Sequence, residues 1–98
     1  MMQPPNSCKN MTELRAAIDI LDAELIELLA SRAVYIDRAI YLKSQEGLPA
    51  RIDARVENVV MRVRETAKEK GLDPELAEGL WRQLIEWSIA REEEVLGQ

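Results

Sequence analysis

The chain contains no histidine and no phenylalanine, one cysteine, and only four glycines and four prolines in 98 residues. Each shortage excludes something. Without histidine the commonest general base is missing, and with a single thiol neither an intramolecular disulfide nor a thiolate metal cluster can form. That thiol, Cys8, sits in a polar N-terminal stretch and fits a reducing compartment, so the chain reads as cytoplasmic. Met1 to Lys9 lacks the apolar segment of a signal peptide, and no run approaches the roughly 20 apolar residues of a membrane span. Basic residues number 13 against 18 acidic ones, a net charge of -5, which weighs against a nucleic-acid surface because phosphate binding needs a basic face. A local group of cations for a small acidic ligand stays compatible with that balance. No carboxylate run has calcium-loop spacing, and no metal or cofactor is expected.

What is present is helix. With 47% hydrophobic and 32% charged residues, the chain reads as a flexible arm over residues 1–10 and one all-α domain over 11–98. From Thr12 to about Gln45 there is no glycine or proline, and Leu14, Ile18, Leu21, Leu25 and Leu28 alternate steps of four and three, a rhythm resumed at Tyr35, Ala39 and Leu42. Asn10 and Glu13 stand at capping-box spacing before it, and Gly47, Leu48 and Pro49 end it. At about 1.5 Å per residue this helix is a rod of roughly 50 Å, longer than a compact monomer whose radius of gyration is about 13 Å. Its apolar side therefore demands a partner helix, and a second copy in an intertwined homodimer is the simplest supply.

Two shorter helices follow. The second starts near Ile52 or Asp53, carries Val56, Val59, Val60, Val63 and Ala67, and stops at Gly71; its β-branched residues suggest packing on both sides. Asp73 and Pro74 restart the chain as N-cap and first helical residue. The third helix runs to about Leu96, with Leu76, Leu80, Trp81, Leu84, Ile85, Ser88, Ile89 and Val95 as its inner face.

The seam of the first helix is interrupted by Arg32, between Leu28 and Tyr35. A guanidinium there must be paired or must bind something, since an unpartnered buried charge costs several kcal/mol. Lys43 lies eleven residues on, about three turns, and so projects from nearly the same side; together the two cations can enclose a small anion. Arg15 points roughly 100° away and does not easily serve the same pocket of its own chain; in an antiparallel dimer it could serve the partner's, and Arg55 could close one end. Plainer alternatives stand beside these: Arg15 paired with Asp19 or Asp22, Arg32 bridged to Glu92, and Ser88 and Glu92 as a helix face opening to solvent. Spacing alone gives a helical dimer with an internal anion site.

These residues resemble a known family, the all-helical chorismate mutases. The likeness spans about residues 12 to 95 and is carried by Leu14-Arg15, Ile18-Asp19, Leu21-Asp22, Leu28 to Arg32, Lys43, Pro49, Arg55 and the segment Leu80 to Glu92. The stretch from Gly71-Leu72 through Glu78-Gly79-Leu80 to Trp87-Ser88-Ile89-Ala90 is also similar to the related isochorismate-pyruvate lyases. The resemblance implies a dimer of three-helix chains and a small dianionic substrate. Arg15 of the other subunit and Arg32 would hold the two carboxylates, Arg55 would help fix the substrate, Lys43 would donate to the ether oxygen, and Ser88 and Glu92 would line the pocket. The implied rearrangement of chorismate to prephenate is pericyclic and needs no nucleophile, metal or cofactor; catalysis comes from holding the reactive conformer and placing positive charge near the breaking C–O bond.

Two positions depart from the mutase pattern. Glu92 stands where many mutases place a Gln that donates to the ether oxygen; an acid donates only when protonated, which predicts activity rising as pH falls, or else it pairs with Lys43 or Arg32 and leaves that role. Val56, after Arg55, replaces a Glu that accepts from the substrate hydroxyl, an apolar choice shared with the lyases. Chorismate mutase is the leading expectation, with isochorismate-pyruvate lyase and a non-catalytic dimerisation module as alternatives.

Overall fold

The structure, a computed structural model, describes residues 3 to 97; what was expected of Met1, Met2 and Gln98 lies outside the described residues. These form three helices and no strand: α1 (Met11–Glu46), α2 (Asp53–Lys70) and α3 (Pro74–Leu96), preceded by a single 3-10 turn at Pro5–Ser7. The expected all-α architecture of one long and two shorter helices is the observed one.

Local chemistry sets the ends. Asn10 Oδ1 accepts from the Glu13 amide at 2.9 Å, satisfying one of the first-turn N–H groups that no helix can satisfy internally. The reciprocal half of the capping box is displaced by one residue, because the Glu13 carboxylate accepts from the Lys9 amide at 3.1 Å rather than from that of Asn10. At the other end Gly47 takes φ +69° and lets the Leu48 amide donate back to the Lys43 carbonyl at 2.9 Å, a left-handed cap that residues with a Cβ rarely adopt. α2 begins after extended Ile52 with no side-chain cap and ends at left-handed Gly71. Asp73 accepts from the Glu75 amide at 2.9 Å with Pro74 as the first helical residue, as the sequence predicts.

The chain divides into two compact units, Met1–Tyr35 and Ile36–Gln98. In the first, Pro4 and Pro5 share a shallow apolar pocket with Leu14, Ala17, Ile18 and Leu21, and Ala17 is the one buried residue among those described there. In the second, α2 packs on α3 around Ala50, Val60, Ile85 and Ile89, with Val56, Val59 and Leu96 against them. Burying an isoleucine side chain contributes about 1.5–3 kcal/mol, so Ile85 and Ile89 anchor the hairpin. Arg64 bridges Glu75 and Glu78, and Arg82 bridges Glu57 and Glu78. Glu57 and Glu75 are exposed and Glu78 is half-buried, so these largely solvated pairs set register more than stability.

The expected inner face of α3 needs correction. Leu76, Leu80 and Val95 are exposed, whereas the buried stripe runs Ala77, Ile85, Ser88, Ile89 and Glu92. Leu76 stands one residue, about 100° around the axis, from Ala77, so Leu76 and Leu80 fall beside the buried stripe, whereas Val95 shares the angle of Ala77 and is exposed near the end of the helix.

Candidate active site

The second unit brings together two of the cations and acids singled out in the sequence. Lys43, in the last turn of α1, donates from Nζ to Glu92 Oε1 at 2.5 Å and to the Ala50 carbonyl at 2.7 Å. The Lys43 side chain is 20% exposed and that of Glu92 only 5%. The arrangement follows from the fold. Gly47 reverses the chain so that the buried Ala50 returns under the end of α1, and the 85–89–92 stripe of α3 carries Glu92 to the same place. A carboxylate so buried needs a charged partner, because removing one side of such a pair costs several kcal/mol. An ammonium has three N–H donors; among the described residues two acceptors, Ala50 O and Glu92 Oε1, take up two of them.

Ser88, one turn before Glu92, is also buried and donates to the Leu84 carbonyl at 2.9 Å. The reading of Ser88 and Glu92 as a face opening to solvent therefore fails: the stripe turns polar while staying inside. Arg55 is exposed in the first turn of α2, with Nη1 donating to Asn58 Oδ1 at 2.8 Å. Val56 beside it packs on the apolar cluster, so that position offers no acceptor for a substrate hydroxyl.

The first unit carries the other two cations. Arg32 is half-buried on α1 and Arg15 is exposed near its start. No ion pair of Arg15 with Asp19 or Asp22 forms among the described residues. A base four residues before an acid is the weaker order along a helix, since it opposes the macrodipole.

One participant has no sequence signal: the Ala50 carbonyl, a backbone acceptor in the α1–α2 link. Its neighbour Arg51 is held to α3 by a two-pronged pair with Glu86, Nη1 to Oε2 at 3.0 Å and Nη2 to Oε1 at 2.5 Å. The Arg51 hydrogen bonds hold the Glu86 carboxyl below its ordinary range. Among the described residues no group of three or more acidic or thiol side chains is placed to hold a metal ion, and no helix is long and apolar enough to cross a membrane.

Comparison with known proteins agrees with this architecture. The sequence model of the family Chorismate mutase type II matches residues 14–93, and the chain belongs to that family. An isochorismate pyruvate lyase of Pseudomonas aeruginosa is 34% identical over 92 residues, covering 93% of this chain and 89% of that protein. A chorismate mutase of Methanocaldococcus jannaschii is 26% identical over 88 residues, covering 90% and 89%. The T-protein of Haemophilus influenzae is 33% identical over 82 residues, 84% of this chain but only 22% of that one. Named members thus include a mutase and a lyase.

Proposed function

We propose that this chain is a chorismate mutase, rearranging chorismate to prephenate in a homodimer whose sites are shared between subunits. The observation that carries the reading is the half-buried Lys43 ammonium, fixed by Ala50 and Glu92 with one donor left over, in a chain of this family. That third N–H would meet the ether oxygen, where electron density accumulates as the C–O bond breaks. A donor fixed beforehand is worth more there than a mobile one. Arg32, with Arg15 from a second copy, would hold the two carboxylates and bring the reacting carbons together. Arg55 would leave Asn58 to close over the ligand. The exposed seam of α1, with Ile18, Leu21, Leu25 and Leu28 all more than 40% exposed, supports the second copy. Buried Ser88 and Glu92 fit pocket-lining roles.

A second reading, isochorismate-pyruvate lyase, is favoured by Val56, which removes the acceptor for the hydroxyl that distinguishes the two substrate isomers, and by the lyase relative. Purified protein given chorismate and isochorismate separately decides: prephenate from chorismate supports the mutase, salicylate and pyruvate from isochorismate the lyase. Product from neither leaves a helical dimerisation module.

A further inference from the structure

We propose that the exposed Arg51 and Glu86 ion pair is a positioning device for Lys43, acting through the peptide unit between them. This rests on the reading of Lys43 as the donor to substrate. The carbonyl that accepts from Lys43 Nζ belongs to the peptide plane joining Ala50 to Arg51. That plane can turn only through ψ of Ala50 and φ of Arg51, and both neighbours are held. Ala50 is 3% exposed inside the apolar cluster. Arg51 is fixed to α3 by two parallel N–H···O bonds, the geometry that makes a guanidinium directional rather than merely charged.

The other end of the link is fixed as well, since the Leu48 amide donates to the backbone carbonyl of Lys43 itself. Residues 47 to 52 therefore form a short strap: one end closes the last turn of α1, and the other presents an acceptor to that turn's side chain. Without the clamp on Arg51, the Ala50 carbonyl keeps its burial but loses the restraint on its orientation. The ammonium then has one fixed partner, Glu92, instead of two, and its third N–H can swing. A pair this exposed contributes little to stability, yet misplacing a reacting group by 1 Å can cost about a hundredfold in rate. The two effects separate cleanly, which makes the role measurable.

The test uses full-length Arg51→Ala, Glu86→Ala, the double variant and Arg51→Lys. Each is measured for kcat, KM and Tm, and the ammonium of Lys43 is followed by proton–nitrogen correlation NMR. The expected result is a fall in kcat of about tenfold in either single variant, part of the hundredfold that a full 1 Å displacement costs. KM should stay within about twofold and Tm nearly unchanged. The double variant should be no worse than the singles, because both remove one interaction, and Arg51→Lys should recover part of kcat by keeping the charge without the fork. The Lys43 ammonium signal should shift or broaden in Arg51→Ala. A kcat within twofold of the parent protein in both single variants overturns the proposal, as does additive loss in the double variant or loss that tracks the folded fraction. If the parent protein converts neither substrate, the mutase and lyase readings fall, and the ammonium signal alone decides: unchanged in Arg51→Ala, it overturns the clamp; altered, it upholds the clamp as the element that orients Lys43.

Discussion

Residues 11–35 and the α2–α3 hairpin are both rich in apolar side chains at helical spacing, yet they dispose of them in opposite ways. In the hairpin, Val60, Ile85 and Ile89 are at most 6% exposed. Along the first part of α1, Leu25 and Leu28 are 51% and 68% exposed. Helical periodicity thus states that a face wants covering without stating what covers it. The hairpin covers one of its faces from its own chain and leaves Leu76, Leu80 and Val95 exposed, whereas along the first part of α1 the leucines of the seam stay exposed.

The comparison can be broken or sharpened by experiment. The largest effect is expected at Lys43. Lys43→Ala should lower kcat by about 10²–10³-fold, the usual cost of deleting one transition-state donor, with the mass by light scattering unchanged; retained turnover would show that the pair of Lys43 with Glu92 is structural only. Next comes the apolar contrast itself. Ile85→Ala should destabilise by about 2–5 kcal/mol in urea unfolding at any protein concentration. Leu28→Ala should do so measurably only if the seam is covered by a second copy, with a midpoint that depends on concentration. A surface-like change within about 0.5 kcal/mol would mean that the seam faces water.

Asp73→Ala removes the N-cap acceptor of α3 and should cost about 1 kcal/mol, with Asp73→Asn nearly neutral. The smallest effect expected is the acid response. Asp37, Glu78 and Glu86 are held below the ordinary carboxylate range by hydrogen bonds from Arg91, from Arg82 and Arg64, and from Arg51 respectively. The unfolded chain takes up those protons first. The associated stability is therefore complete above about pH 5 and is lost as pH falls through the lower folded values. Tm should be flat between pH 8 and 5 and decline below 4, less steeply in high salt. A decline that began near neutrality would point to some other group.

Much of the backbone plan was legible because its signals are local. Asn10 before Glu13, Gly47, Gly71 and the pair Asp73-Pro74 each act within a turn of their own position, and each bounds a helix as read. Of the side-chain partnerships, that of Glu92 with Lys43 was among the alternatives read from the sequence; the others were not legible, because they join distant positions through competing choices. Arg51 had 18 acidic residues to choose from and meets Glu86; Arg91 meets Asp37 at 2.6 Å. Pattern also failed to separate two adjacent stripes on α3. Leu76 and Leu80 are the larger residues, but Ala77 is the one that lets α2 approach closely. In the second unit, the polar turn of the α3 stripe at Ser88 and Glu92 was visible. The lysine's other partner is a backbone carbonyl, which every residue has and no pattern can single out.

The three-residue link of Gly71, Leu72 and Asp73 has a kinetic consequence. With so short a loop, bringing α2 against α3 costs little chain entropy, and contacts local in sequence form fast, on the microsecond to millisecond scale of small helical proteins. Covering the α1 seam with a second copy would instead be a bimolecular step that slows on dilution. A refolding experiment should then show a fast phase independent of protein concentration, owned by the hairpin, followed by a slower one that scales with concentration and in which activity returns.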